Sequence, residues 1–292
     1  MYYHKTPTMN EIIFKEQLSK DVFLMRIKAP LIAEERQPGQ FIILQTDDDY
    51  GERIPLTIAD ADVEEGTITI IFQVVGKTTM ALSLMNMGDC LPAFVGPLGK
   101  PTHIKNYGHV VCVAGGIGVA PMHPIAEALK KAGNRVTTII GARTKDLLIL
   151  ESKMKAIADE LIICTDDGSY GRKCLVTEPL KELCERSEKP NMVIAIGPPV
   201  MMKYCSLTTK PYNVFTQVSL NTIMVDGTGM CGGCRVSVNN ETKFVCVDGP
   251  EFDGHQVDFD NMIARLNSYK TIERQKQKCF VEKTFKEKEV AL

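Results

Sequence analysis

His109-Val-Val-Cys-Val-Ala-Gly115-Gly116-Ile-Gly118-Val-Ala-Pro121 reads as a buried strand that runs into a glycine turn and opens a helix. Val110 to Ala114 is an unbroken apolar run, and Pro121 suits a first helical turn, where its missing N–H costs nothing. Downstream the sequence predicts a helix over 121–131, with Ile125 and Leu129 on one side, and a strand over 135–140. A helix over 151–159, a strand over 160–164, a helix over 176–184 and a strand over 192–196 follow. Strands alternating with helices imply right-handed crossovers and a doubly wound parallel sheet. The glycines would let a diphosphate approach the backbone at a helix N-terminus. The ordinary dinucleotide fingerprint has a third Gly and an acid about 20 residues on. Here Pro121 takes the late position, and the next strand ends in Gly141-Ala-Arg143. The alternative reading is tight strand-to-helix packing. Asp166-Asp-Gly168-Ser169-Tyr-Gly171 and Gly197-Pro-Pro-Val-Met201-Met202 each follow a predicted strand, where ligand loops of an open parallel sheet lie. Plain turn chemistry is the alternative for both.

Before this zone, up to about residue 102, the chain carries short β-branched runs: 22–27, 40–44, 56–58 and 67–75. Pro38-Gly39, Asp47-Asp-Asp49, Gly66 and Gly76 punctuate them, and 78–87 reads as the one helix. This pattern predicts a small antiparallel barrel. Arg53-Ile-Pro55-Leu56-Thr57 and Gly76-Lys-Thr78-Thr79 set polar groups beside apolar strands. The second opens a helix, a ready anion site, or else Thr78 or Thr79 simply caps it.

After the α/β zone comes Asp226-Gly-Thr-Gly-Met-Cys231-Gly-Gly-Cys234, with Cys246 in Phe-Val-Cys-Val-Asp-Gly. Plant-type iron–sulfur sites use C-x4-C-x2-C and a distant fourth Cys. The spacing here matches, with Asp226 in the first position. A carboxylate is an anionic donor, harder than sulfur. The reading is a [2Fe–2S] cluster held by Asp226, Cys231, Cys234 and Cys246, the loop glycines leaving amides free for cluster sulfurs. A zinc site of three Cys with His255 or Asp226, and a Cys231–Cys234 disulfide, are the alternatives.

The expected architecture is thus multi-domain α+β: a barrel over 1–102, an α/β parallel-sheet nucleotide domain over 103–212, a small cluster domain over 213–269 and a tail over 270–292. At 292 residues the chain can bury a full core without disulfides. A net charge of −2 gives no footprint for nucleic acid, and no apolar run reaches the ~20 residues a membrane span needs. The first residues show no signal-peptide core, whether the native start is Met1 or Met9, and the ten cysteines then point to the reducing cytoplasm. Histidines 4, 103, 109, 123 and 255 form no constellation, so no side-chain acid–base dyad is expected. The tail reads as an exposed helix or a disordered end.

Taken together, the barrel, the Gly115-Gly116-x-Gly118-x-x-Pro121 turn and Gly197-Pro-x-x-Met201-Met resemble the ferredoxin–NADP reductase superfamily. The cluster motif is similar to that of the electron-transfer subunit of dihydroorotate dehydrogenase. With Asp226 in the first position, it looks most like the small subunits of electron-bifurcating NADH-dependent ferredoxin:NADP oxidoreductases. The resemblance spans about 9–267. It implies FAD with its ring against Pro55, Leu56 and Thr57, Thr57 near flavin N5, and Phe72, Gln73, Gly76, Thr78 and Thr79 around the rest. Ile54 stands where the superfamily pattern has Arg, so Arg53, one residue early, is the candidate for the diphosphate. NAD(H) would lie on Gly115, Gly116, Gly118 and Pro121, with Arg143, Asp166, Gly168, Ser169, Gly197 and Met201 nearby; Arg143 and Lys145 could also meet a 2′-phosphate. The resemblance further implies a larger flavo-iron–sulfur partner that handles NADPH and ferredoxin. A sulfide dehydrogenase type, a stand-alone NAD(P)H reductase and a zinc- or redox-sensing module are the alternatives.

Overall fold

The computed structural model describes residues 9–47 and 51–290, with the backbone alone for 283–290. The start read for a signal peptide before Met9, and Asp48 and Asp49 of the predicted turn, lie outside the described residues.

The first unit comprises β1 (Ile12–Ser19), β2 (Val22–Lys28), α1 (Pro30–Glu35), β3 (Phe41–Gln45), β4 (Ile54–Asp62), β5 (Thr67–Gln73), α2 (Lys77–Leu84) and β6 (Ala93–Leu98). Its six strands pair antiparallel in the order β1-β2-β5-β4-β3-β6. A bridge between Glu11 and Cys90 draws the two edges together, closing the barrel. Met25, Ile27, Ile42, Leu44, Ile58, Ile68, Ile70, Phe72 and Leu82 fill its interior. Each such buried side chain contributes about 1.5–3 kcal/mol. β5 stops two residues short of the expected end because Val75 and Gly76 donate their N–H groups to the Thr79 hydroxyl and leave the ladder. β1, α1 and β6 were not legible in the sequence. β1 carries Lys15-Glu-Gln17 through an edge strand, α1 has only six residues, and β6 holds Gly96-Pro97.

The second unit contains β7 (His109–Gly115), α3 (Val119–Lys131), β8 (Arg135–Ala142), α4 (Glu151–Ile157), β9 (Glu160–Thr165), β10 (Arg172–Lys173), α5 (Thr177–Glu185), β11 (Met192–Ile196), α6 (Pro199–Thr209) and β12 (Phe215–Ser219). The strand order is β10-β9-β8-β7-β11-β12, all parallel. Every residue of β7 and β11 is buried, because helices cover both faces. Val110, Cys112, Ala114, Ile194 and Ile196 face α3. Val111, Val113, Val193 and Ala195 face α5 and α6. The winding changes direction between β7 and β11, which is where such sheets bind ligands.

The remainder forms β13 (Arg235–Val238) and β14 (Glu241–Phe244), a hairpin, then α7 (Val245–Asp248), β15 (Glu251–Asp253), α8 (Phe259–Asn267) and α9 (Lys270–Val290). β15 returns to the large sheet and pairs antiparallel with β12, so both strands, though beyond residue 212, extend the nucleotide sheet. The tail is a helix, α9, lying against α2. Among the described residues no helix is long and apolar enough to cross a membrane.

The units share cores. Val22, Ala59 and Ile71 of the barrel pack with Met122 and Ile125 of α3. Phe41 and Ile43, on β3, pack into the cluster that holds Cys234, Val245 and Cys246.

Candidate functional site

At the switch point, Gly115 and Gly197 bracket Met201: a Cβ on Gly115 would fall 2.4 Å from the Met201 sulfur, and one on Gly197 2.8 Å from its methyl. A Cβ on Gly118 would strike the Ile196 carbonyl at 2.3 Å, so this glycine lets the β7 turn cross tightly over β11. Gly116 differs. Its φ of +55° is a left-handed conformation, and no atom lies within 4 Å of where its Cβ would sit. Open space beside a turn that feeds the N-terminus of α3 is what an approaching anion needs. Pro121 stands in the first turn of α3, where no intrahelical N–H is lost.

Two further loops lie along the same edge. The Ser169 hydroxyl accepts from the Lys145 N–H at 2.8 Å and donates to Asp167 at 2.7 Å, joining the loops after β8 and β9. Gly168 turns with φ +78°. Arg143, Asp166 and Ser169 are exposed there.

In the barrel, β4 begins at Ile54, and its first four residues pair with β3: Leu44 with Ile54, Ile43 with Pro55, Ile42 with Leu56, Phe41 with Thr57. Arg53, just before β4, and Pro55, Leu56 and Thr57 are half-buried. Phe72 is buried in the barrel and Gln73 is half-buried at the end of β5. Thr79 caps α2 by accepting from Val75 and Gly76 at 3.0 and 3.1 Å. Thr78 donates to Glu52 at 2.9 Å, a partner that sequence reasoning missed. No atom lies within 4 Å of a Cβ built on Gly76, so this helix start also faces open space.

The four expected cluster ligands arrive as two pairs. The Cys231 thiol donates to Asp226 at 3.0 Å, and the Cys234 and Cys246 sulfurs stand 3.2 Å apart. Among the described residues no three His, Cys, Asp or Glu side chains gather around one point. Two donors apiece suit the two irons of a [2Fe–2S] cluster. Hydrogen bonds from the Cys231 thiol, the Thr228 hydroxyl and the Met230 N–H hold the Asp226 carboxyl well below the usual carboxylate range. Burial, then contact with Cys234, pushes the Cys246 thiol up. The Gly233 N–H points at the Cys231 sulfur at 3.5 Å and the Cys246 N–H at the Cys234 sulfur at 3.5 Å.

The fold brings these loops together. A Cβ on Gly227 would lie 2.7 Å from both Ile43 and Leu98, so the cluster loop rests on β3 and β6. Ile43 in turn pairs with Pro55. On the other side, β5 lies against the 116–118 turn. His103, His109 and His255 sit apart, bonded to Tyr107, Thr137 and Thr209, and His123 lies between α3 and the barrel wall. Sequence reasoning also missed Glu251, half-buried where the three units meet. It accepts from Thr102 at 2.7 Å and from Gln217. Burial raises it to about 7. No motif marks it, because its setting is tertiary.

Comparison with known proteins matches residues 112–206 to an oxidoreductase NAD-binding domain. Residues 221–258 match the iron–sulfur cluster binding domain of dihydroorotate dehydrogenase B. A Thermotoga maritima homologue of the dihydroorotate dehydrogenase B (NAD(+)) electron transfer subunit is 50% identical over 266 residues, 91% of this chain and 93% of that protein. The corresponding Desulforamulus reducens subunit is 34% identical, covering 82% of this chain and 94% of its own. Among solved structures, an NADH-dependent reduced ferredoxin–NADP oxidoreductase, described for flavin-based electron bifurcation, superposes with a TM-score of 0.87 at 47% identity. The match covers 94% of this chain and 99% of that one. The cytochrome b5 reductase domain of Ulva prolifera nitrate reductase shares the fold alone, at 18% identity and a TM-score of 0.58 over 71% of this chain and 95% of its own.

Proposed function

The chain belongs to the family of dihydroorotate dehydrogenase B electron-transfer subunits and their homologues, and from that premise we propose that it takes the NADH side of a two-subunit, electron-bifurcating oxidoreductase. It is an NAD(P)H-dependent oxidoreductase subunit that works with FAD, a [2Fe–2S] cluster and a larger partner subunit. The partner, a flavo-iron–sulfur protein, handles NADPH and ferredoxin, and the assembly works in the cytoplasm. Asp226 in the first ligand position favours this reading over a dihydroorotate-linked one.

The observation that carries it is the gathering of two loops on β3, β4 and β5: the cluster loop on Ile43, which pairs with Pro55, and the 116–118 turn against β5. FAD, when bound, would supply the conversion of a two-electron hydride into single electrons, and a [2Fe–2S] cluster would supply the one-electron acceptor beyond it. The chain's own residues position and shield. Gly116 admits the nicotinamide nucleotide's diphosphate at the α3 N-terminus, Gly118 lets the turn pack over β11, and Arg143, Asp166 and Ser169 lie along the flank. Pro55, Leu56 and Thr57 back the flavin ring, Thr57 offering its hydroxyl to N5. Gly76 and the start of α2, with Arg53, hold the flavin diphosphate. Asp226 with Cys231 holds one iron, and Cys234 with Cys246 the other. Phe41 and Ile43 keep water from the path between ring and cluster.

Anaerobic absorbance of the purified chain tests this, with iron, sulfide, zinc and flavin assayed together. The expected result is flavin with about two iron and two sulfide per chain, bleached by NADH. Zinc in place of iron, or a flavin that NADH leaves oxidised, overturns it.

A further inference from the structure

Besides Cys234 and Cys246, one other pair of thiols meets among the described residues. Cys164, on β9, and Cys174, just after β10, have sulfurs 3.1 Å apart. Between them runs the exposed 166–171 loop, tied by hydrogen bonds from the Thr165 hydroxyl to the Tyr170 carbonyl, from the Tyr170 N–H to the Thr165 hydroxyl, and from the Lys145 N–H to the Ser169 hydroxyl. Cys164 is 1% exposed and Cys174 9%, so an incoming reagent meets Cys174 first and finds Cys164 directly behind it. This is the arrangement of an attacking and a resolving thiol.

We propose that Cys164 and Cys174 form a reversible dithiol–disulfide switch that acts on the nucleotide-binding edge, oxidised by small disulfides. The Cys174 thiolate attacks one sulfur of RSSR, forming a mixed disulfide and releasing RS⁻. Cys164 then gives up its proton to solvent and attacks the Cys174 sulfur, and a second RS⁻ leaves. Both leaving thiolates take up the two protons lost by the cysteines. One RSSR becomes two RSH, and the protein loses two electrons and two protons. Burial and the neighbouring thiol push Cys164 up, so it stays protonated and waits for the mixed disulfide instead of reacting first. Bond formation brings the sulfurs from 3.1 Å to about 2 Å and ties β9 covalently to the chain entering α5. The loop carrying Asp166, Gly168 and Ser169 spans the two anchors, and the link restricts it. The consequence for NADH rests on the reading of this edge given above.

The experiment treats the cluster- and flavin-loaded protein anaerobically with 2-hydroxyethyl disulfide, followed by alkylation and tryptic mapping. Cleavage at Arg172 and Lys173 separates the two cysteines, so a link between them appears as two joined peptides. The expected result is that link, reversed by dithiothreitol, with the KM for NADH raised about fivefold or more, since the link restricts a loop of the nucleotide edge. Cys174→Ser shows neither the link nor the KM change. A mixed disulfide that stops at Cys174, or a link that leaves KM unmoved, overturns the proposal. If NADH fails to reduce the untreated flavin, the nucleotide reading falls, and the proposal, which depends on it for its effect, falls with it. The mapping then shows whether the thiols pair, so the two failures are told apart.

Discussion

Asp226 and Gly116 show how much a single position decides. Asp226 accepts from Thr228, Met230 and Cys231 at once, and so is aimed into the loop before any iron binds. A thiolate shares more electron density with iron than a carboxylate does and favours the oxidised cluster. Asp226→Cys is therefore expected to retain the cluster and lower its midpoint potential by tens of millivolts, read by potentiometric titration followed by electron paramagnetic resonance. An unmoved midpoint would remove Asp226 from the ligand set. Gly116→Ala puts a methyl into open space at φ +55°, a strain of about 1 kcal/mol, directly in the proposed nucleotide path. Its flavin content should match wild type while the KM for NADH rises tenfold or more. Gly118→Ala, which meets the Ile196 carbonyl, should instead lower the yield of folded protein.

Elements were legible where their periodicity was clean. The apolar runs of β7, β8 and β11 and the one-sided pattern of α3 stood out because these strands are buried on both faces and α3 has one buried face. β1 escaped because an edge strand tolerates Lys15, Glu16 and Gln17, and α1 because one and a half turns carry no period. α2 was seen, but its cap was ambiguous between Thr78 and Thr79. Geometry assigns it to Thr79, which accepts from two backbone N–H groups, while Thr78 turns to Glu52. Thr79→Val keeps the shape and deletes the acceptor. It should cost about 1 kcal/mol in urea denaturation and loosen FAD, measured as flavin lost on gel filtration. Retention of flavin equal to wild type would mean that α2 is not the diphosphate helix.

At the scale of the molecule, Glu251 reports on how the units are joined. It lies on β15, takes hydrogen bonds from Thr102 after the barrel and Gln217 on β12, and among the described residues pairs with no Lys, Arg or His. Tyr107, raised mainly by burial and then by this carboxyl, is the titratable group that faces it. Burial lifts Glu251 from 4.5 to about 7. Between those values the native state holds a proton that the unfolded chain has released. The stability it contributes is therefore full below about pH 4.5, declines as pH rises, and is gone above about pH 7. The span corresponds to about 3 kcal/mol. Urea midpoints at pH 5 and pH 8 should show this fall in the wild type. Glu251→Gln should flatten it and raise stability at pH 8; an unchanged slope would place the titration elsewhere.

The chain's order of strands and helices, the 115–118 glycine turn and the Asp226, Cys231, Cys234, Cys246 spacing were fixed locally, by periodicity, by the demand for φ > 0 at Gly116 and by short separations along the chain. Those features were readable without coordinates. What the residues could not say alone is which loops meet. That Gly227 rests on Ile43, that Ile43 pairs with Pro55, that β15 crosses back to β12, and that Cys164 faces Cys174 all depend on contacts between segments far apart in the chain or folded back through a loop. Such contacts are set by shape and burial summed over the shared cores, which no short window of sequence contains.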